Sequence, residues 1–574
     1  MGGASSSVVG SPVVGSPVTS ALERGAPLLL ALLVLLAWGS AIVRGGFAYD
    51  DREVLFDNPV VEGALPWSSV VDRDYWHHIG DAGHWRPLAT ATLRIDRWLY
   101  GTDSRGYHAT NVALHGAVVM LAALLARRLA LALGAPFPWF GLALFAAHPL
   151  LADSVAWISG RTSMLSALGG LAGALAVASC AAARVASTAG AAARGGPPSA
   201  GRTVCLTGAS ALGLGAALMG KEDALAFAVV LPLVALATAG PGRRLAASAW
   251  TLAGCGLAVS GWLAARYAAL GVAFPTAPHA PLAEAPLTIR LAHGLAAWGE
   301  GLAATLVPSL SLPPNLTVAD VATPGLSGRV ALFAAFAAGA LWFGWRGRRR
   351  ALRDVGALGG SMRLVEGCLC CVLAALAPLI QLVPSGELFA PRFLYLPLLL
   401  GAPATSALLA AVVPRPGPRR VTAALALSAC VLLAQVHSAR YASRLAFWES
   451  HLPRHAADPR VWNELGNAAR EAGDLVAARA SFERAVTLAP GYSRAWVNLG
   501  TLALRRDDLE VALEQLQRAV AVGQENAVAH ANLGNAWLRA GEAAQAAAAY
   551  QRAVALAPGR AAFWRGLARA RPRG

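Results

Sequence analysis

Two adjacent carboxylates, Asp50 and Asp51, sit in the stretch RGGFAYDDREVLFDN (44–58), directly after a long apolar run. An ionised carboxylate at a membrane boundary is costly unless it has a partner or a task. One such task is general base chemistry on a hydroxyl, which needs an anionic oxygen held beside the nucleophile. Group transfer from a lipid phosphate also needs cations to neutralise the phosphate as it departs. Arg86, Arg161, Lys221 and Arg392 are the candidates. The plainer readings of the pair are a solvated loop or an interface anchor.

The surrounding loop is unusual. Residues 44–110 form the longest polar stretch between apolar runs and are dense in Trp, His, Arg and Asp. Loops of that length are more often functional than connective. Amphipathic helices are expected around 67–79 and 87–100, with Trp67, Trp76, Trp85 and Trp98 at headgroup depth as an aromatic belt. His77, His78, His84, His108 and His115 follow no zinc-ligand spacing, so hydrogen-bonding or interfacial roles are expected of them, and a divalent metal stays open.

The elements that must position these residues are membrane helices. Of 574 residues, 56% are hydrophobic and 14% charged, against about 25% charged in soluble domains; mean hydropathy is +0.50. The net charge of +16 could suggest nucleic acid. No zinc-finger spacing, RNA-binding motif or basic helix face supports that, so no nucleic-acid partner is expected. The seven cysteines lie in or beside apolar runs and read as buried thiols rather than as a disulfide or metal framework.

Residues 1–21 are a Ser/Gly/Pro/Val-rich tail expected to be disordered. The run 26–43 is long enough to span, and it reads as a helix rather than a cleaved signal because its flank is barely basic. Further apolar runs lie at 111–126, 137–152, 163–183, 203–219, 224–240, 247–270, 328–345, 364–384, 394–412 and 421–437. That gives about eleven transmembrane helices; 287–307, interrupted by Arg290, His293 and Glu300, is the contested twelfth. With the N-terminus inside, eleven spans keep Arg127/Arg128, Arg243/Arg244, RGRRR (346–350) and Arg415/Arg419/Arg420 in cytoplasmic loops. The Asp50–Asp51 loop, HWRPL (84–88), DSVAWISGR (153–161), GKED (220–223) and GELFAPRF (386–393) then share the opposite side.

From about 455 the pattern becomes polar and repetitive. Trp462, Trp496, His530 and Trp564 recur every 34 residues; LG recurs at 465–466, 499–500 and 533–534; Ala485, Ala519 and Ala553 keep the same step. Gly473, Asp507 and Gly541 mark equivalent turns. This is the tetratricopeptide period, which predicts three helical pairs and a closing helix over 455–574 and a protein-binding solenoid.

The combination resembles the family of transmembrane and tetratricopeptide-repeat-containing O-mannosyltransferases, in the glycosyltransferase C superfamily. The pieces that carry the resemblance are FAYDD (47–51), WRPLATATLRID (85–96), YHATNVALH (107–115), LFAAHPLLADSVAWISGR (144–161), GKED (220–223) and LFAPRFLYLP (388–397). It implies an all-α fold: a polytopic glycosyltransferase-C-like membrane domain over 22–440, followed by the solenoid. It also implies transfer, with inversion, of a mannose-type sugar from a polyprenyl-phosphate donor to Ser/Thr hydroxyls, with the repeats holding the acceptor polypeptide. Asp50 or Asp51 matches the position of the base. His84, His115, His148, Asp153, Glu222 and Tyr395 are the supporting polar residues of the same motifs. The chain departs from the family at Leu151, Asp153, Ser163 and Pro391, where a second His, a Glu, an Asp and a Glu are usual. The expected setting is a bacterial inner membrane with site and repeats facing outward, or the endoplasmic reticulum in a eukaryote. A lipid-linked oligosaccharide ligase or polymerase, and a membrane scaffold without enzymatic activity, are the competing readings.

Overall fold

The computed structural model describes residues 17–77, 83–182, 200–240, 242–273, 282, 285–306, 357–376 and 390–571. Every element among them is a helix. The chain forms two compact units, one of Met1–Gly45 with Asp50–Ala439 and one of Gly46–Tyr49 with Arg440–Gly574.

The first unit opens with α1 (Pro17–Arg44), followed by three short helices, α2 (Asp51–Leu55), α3 (Pro59–Glu62) and α4 (Ser69–Asp72). Next come α5 (Pro87–Tyr100), α6 (Ser104–Leu133), α7 (Trp139–Ala147), α8 (Ala152–Val155), α9 (Thr162–Ala182), α10 (Ala200–Leu218), α11 (Phe227–Thr238), α12 (Arg244–Leu270) and α13 (Leu287–Leu306). The unit continues with α14 (Ala357–Leu376), α15 (Tyr395–Val412) and α16 (Pro416–Ser438). Six stretches among the described residues are long and apolar enough to cross a membrane: Gly25–Arg44, Ser104–Leu133, Ser159–Ala182, Arg244–Leu270, Pro391–Val412 and Pro416–Ala442. These features are those of a multi-pass membrane protein.

Eleven spans were expected over the whole chain; among the described residues, two of the expected runs are shortened for local reasons. The run 137–152 is not one helix. Its α-helical part covers nine residues, about 14 Å of rise, and stops before Pro149, which has no N–H to donate. The run 224–240 begins as a 3₁₀ turn, Glu222–Ala226, and leaves a 12-residue helix. The run 328–345 and the RGRRR cluster lie outside the described residues, as does the end of 364–384.

Small residues let the long helices close on one another. A Cβ on Gly173 of α9 would come within 2.8 Å of the Gly213 Cα on α10, so the two backbones touch there. At the other end of this pair, Cys180 and Cys205 form a disulfide. This corrects the reading of all seven cysteines as thiols: antiparallel packing of α9 on α10 brings together two cysteines that look unrelated in sequence. Cys255, Cys368, Cys371 and Cys430 are buried free thiols, and Cys370 is an exposed one.

The second unit contains α17 (Arg444–Glu449), α18 (Leu452–His455) and the repeats α19 (Pro459–Glu471), α20 (Leu475–Leu488), α21 (Ser493–Arg505), α22 (Leu509–Val522), α23 (Ala527–Arg539), α24 (Ala543–Leu556) and α25 (Ala561–Ala570). The repeated residues take repeated jobs. Ala478, Ala512 and Ala546, like Ala485, Ala519 and Ala553, are wholly buried between paired helices. Trp462, Trp496 and Trp564 each donate an indole N–H to the carbonyl six residues earlier, at 2.8–2.9 Å. His530 makes the equivalent 3.0 Å bond through Nε2 to Gln524. The 34-residue column is therefore a hydrogen bond that closes each inter-repeat turn. Gly473 and Gly541 have φ of +88° and +80°, and Asp507 takes φ +62° at the same place.

Candidate active site

The polar stretch after α1 folds by local capping. Asn58 accepts from the Val60 and Val61 N–H groups at 3.0 and 3.4 Å, with Pro59 in the first turn of α3. Asp50 precedes α2, and its half-buried side chain does not cap that helix. Asp51 is fully buried. Its Oδ1 accepts from the Ser159 N–H at 3.0 Å and from the Ser159 hydroxyl at 2.7 Å. Ser159 opens the 3₁₀ turn Ser159–Arg161 that leads into α9. The carboxylate thus meets a helix start, where backbone N–H groups lack partners.

Two residues on, Arg161 is fully buried and its Nη1 lies 2.6 Å from Asp96 Oδ2 on α5. Its remaining donors reach the Ile158 and Tyr107 carbonyls, both at 3.4 Å. Asp96 also accepts from Thr110 at 3.1 Å. Burial raises the Asp96 carboxyl above its ordinary range, against the opposing pull of Arg161. The Arg161 guanidinium is thus bound within the protein.

The GKED turn between α10 and α11 sends its three charged side chains to different partners. Glu222 meets Arg86 Nη2 at 3.1 Å, His84 Nδ1 at 3.5 Å and Arg266 Nη1 at 3.6 Å. Burial works against ionisation of Glu222, but Arg86 and His84 outweigh it and hold the carboxyl well below its ordinary range. Lys221 donates to Ser163 Oγ at 2.9 Å and pairs with Asp223 at 3.1 Å. Asp223 accepts in turn from Ser166 at 3.0 Å. Burial lowers the Lys221 ammonium from its usual value; Asp223 opposes that, and Arg86 and Arg392 reinforce it. Lys221 Nζ lies 5.2 Å and the Arg392 guanidinium 5.4 Å from the Phe393 ring centroid; Arg392 also lies 5.2 Å from the Trp157 ring centroid. Arg86, Lys221 and Arg392 therefore share one electrostatic neighbourhood, built from three separate segments.

The remaining candidates fall elsewhere. His115 donates from Nε2 to the Ala146 carbonyl at 3.1 Å, and its Nδ1 accepts from the Tyr395 hydroxyl at 2.9 Å. Trp38 donates to the same carbonyl at 2.9 Å. This buried node satisfies the orphan carbonyl where α7 stops. His148 is buried, accepting from the Leu150 N–H at 3.4 Å, and Asp153 is buried in α8. His84 joins the Glu222 group, and its backbone N–H donates to Asp74 Oδ2 at 2.5 Å. His78 lies outside the described residues.

Four residues with central positions were not singled out from sequence: Tyr75, Asp96, Ser159 and Arg266. Arg266 is fully buried in α12 and donates to the Gly83 carbonyl. A lone arginine in an apolar helix is a site hypothesis by default, so that rule alone flags it. Tyr75 is 3% exposed, its N–H donates to the His84 carbonyl at 2.8 Å, and the Arg86 guanidinium lies 5.8 Å from its ring centroid. Among the described residues, no group of three or more His, Cys, Asp or Glu side chains is arranged to hold a metal ion.

The fold defines a class: a helical multi-pass membrane domain with an appended tetratricopeptide solenoid. Comparison with known proteins agrees with that fold class. Tetratricopeptide-repeat family models match residues 459–492 and 497–561. The chain is similar to the TMTC protein O-mannosyl-transferases. It is 35% identical over 134 residues to Protein O-mannosyl-transferase Tmtc1 of Drosophila melanogaster, covering 22% of this chain and 15% of that protein. It is 32% identical over 137 residues to Protein O-mannosyl-transferase F38B6.6 of Caenorhabditis elegans, covering 22% and 19%. The alignments thus span less than a fifth of these relatives. Among solved structures, the MamA protein is 24% identical over 22% of this chain and 69% of its own, with a TM-score of 0.20.

Proposed function

We propose that the chain is an integral-membrane protein O-glycosyltransferase that moves a sugar, mannose by its likeness to the TMTC proteins, from a polyprenyl-phosphate donor to Ser/Thr hydroxyls. The observation that carries this reading is the convergence of Arg86, Lys221 and Arg392, each set against an aromatic ring, in the same unit as the Asp50–Asp51 turn. Clustered cations suit a departing phosphate, since fixed positive charge placed where negative charge develops lowers the barrier without reorganisation.

Asp50 is the base in this proposal. Asp51 has one oxygen committed twice to Ser159, which suits it to holding the turn. Asp50 takes the proton from the acceptor hydroxyl. The hydroxyl oxygen bonds to the anomeric carbon as the bond from that carbon to the phosphate oxygen breaks, and the electron pair leaves on the polyprenyl phosphate. A single in-line displacement inverts the anomeric centre. Arg86, Lys221 and Arg392 receive the phosphate, Arg161 serves α5 and α9 through Asp96, and the repeats hold the acceptor. The site and repeats face away from the cytoplasm, and the reaction's lipid and protein partners meet there.

The test is transfer by the purified full chain in lipid nanodiscs, supplied with polyprenyl-phosphate mannose and a Ser/Thr-rich peptide. A gain of one hexose per modified residue is expected. Transfer of only a preassembled glycan from a lipid diphosphate would replace this reading with a ligase, and no transfer from either donor would leave a scaffold.

A further inference from the structure

The Tyr75 hydroxyl is a buried polar group that the proposed chemistry leaves unused. The side chain is 3% exposed, and its oxygen has no hydrogen-bond partner among the described residues. A buried hydroxyl left without a partner costs about 1–3 kcal/mol, and native proteins seldom keep one without a reason. The placement is also tightly held. Its backbone N–H donates to the His84 carbonyl at 2.8 Å, its carbonyl accepts from Asn58 Nδ2 at 3.4 Å, and its ring packs edge-on to Trp76 at 5.1 Å. The flanking Asp74 accepts from the Trp76 and His84 N–H groups at 2.6 and 2.5 Å. The backbone that carries the phenol is therefore held by hydrogen bonds through both its N–H and its carbonyl.

Its surroundings specify what it would meet. The Arg86 guanidinium lies 5.8 Å from its ring centroid, and Asp50, Asp51 and Arg161 also act on the phenol electrostatically. Burial first, and then the Asp50 charge, push the phenol above its ordinary value and keep it protonated. It is thus a neutral O–H donor. Arg86 already gives Nε and Nη2 to Glu222, so the cation nearest this ring is partly engaged, and an anion arriving there gains from one more donor.

We propose that the Tyr75 hydroxyl donates a hydrogen bond to a phosphoryl oxygen of the lipid-phosphate donor, completing the phosphate site formed by Arg86, Lys221 and Arg392. This rests on the proposed function and names a phosphate ligand that the sequence motifs do not contain. Tyr75 would touch the substrate, and so acts on binding and transfer rather than on folding.

The experiment is Tyr75→Phe in the full chain, with thermal unfolding, binding of polyprenyl phosphate without sugar, and transfer measured on one preparation. The substitution keeps the ring and removes the unsatisfied hydroxyl, so Tm should stay level or rise. Polyprenyl-phosphate affinity and transfer should fall by about 10- to 100-fold, the range of one hydrogen bond to a charged group. Asp50→Asn is the control: it should retain lipid-phosphate binding while losing transfer. A lower Tm for Tyr75→Phe would mark the hydroxyl as structural and overturn the proposal. Unchanged affinity in a variant of unchanged Tm would also overturn it, leaving the enzymatic reading intact. If the wild-type chain itself bound no polyprenyl phosphate, the enzymatic reading would fall, and this proposal with it.

Discussion

Ser159 gives both its backbone N–H and its hydroxyl to a single oxygen of Asp51, at 3.0 and 2.7 Å. These two hydrogen bonds to a buried carboxylate tie the loop after α1 to the turn that starts α9.

Asp51→Asn should therefore destabilise the fold, by about 1–2 kcal/mol, because hydrogen bonds to a charged acceptor become bonds to a neutral one. Ser159→Ala should cost about 1 kcal/mol for its hydroxyl bond. Because both changes act on the same contact, the double variant should lose less than the sum of the single losses. Thermal unfolding of the four proteins in one detergent measures this, and strict additivity would argue against the shared contact.

Arg161 and Asp96 form a buried pair at 2.6 Å. Arg161→Leu leaves a buried carboxylate unpaired and should cost about 3–5 kcal/mol. Asp96→Leu in the same chain should recover most of that loss, since replacing both members of a buried pair by apolar residues is often nearly neutral. Folded yield and Tm are the readouts. No recovery in the double variant would point to a role for Arg161 beyond this pairing.

His451, in the second unit, donates from Nδ1 to the Phe447 carbonyl at 2.7 Å and stacks near Phe447 and Trp448. Burial pushes its imidazole down from 6.5 to about 4. A depressed histidine is neutral in both states above the unfolded value, so its full contribution is present there. Between 6.5 and about 4 the unfolded chain takes a proton that the folded one refuses. Stability should fall across that window, at up to about 1.4 kcal/mol per pH unit. His451→Leu should flatten this limb of a Tm-against-pH curve, and an unchanged limb would exclude His451 as its source.

At the turn between α21 and α22, Asp507 holds φ +62° where the equivalent positions are glycine, and it pairs with Arg539. Asp is among the few non-glycine types that visit this region easily. Asp507→Val places a β-branched residue there and should destabilise the protein by about 1–2 kcal/mol. Denaturant unfolding followed by repeat helicity checks this, and a neutral result would mean the turn has relaxed.

The solenoid was legible in the sequence because its contacts are local: the Trp462, Trp496 and Trp564 indoles each bond a carbonyl six residues back. The Asp50–Asp51 pair could be read from its place after an apolar run. Arg161 could be found but not its partner, since Asp96 lies on another helix and only packing of α5 beside α9 joins them. The Cys180–Cys205 disulfide was hidden for the same reason. Tyr75 gives no sequence cue, because what marks it is a hydroxyl without a partner, and that requires a folded environment. Hydropathy could suggest spans but not where Pro149 would break one.

The central claim is that Asp50 acts as the base while the Arg86, Lys221 and Arg392 cluster holds a lipid phosphate. The direct measurement is single-turnover transfer from polyprenyl-phosphate mannose to a peptide, comparing wild type with Asp50→Asn at equal folded concentration. Loss of a positioned general base predicts a rate about 10²- to 10⁴-fold lower, with unchanged Tm and donor affinity. Transfer at the wild-type rate by Asp50→Asn would contradict the account.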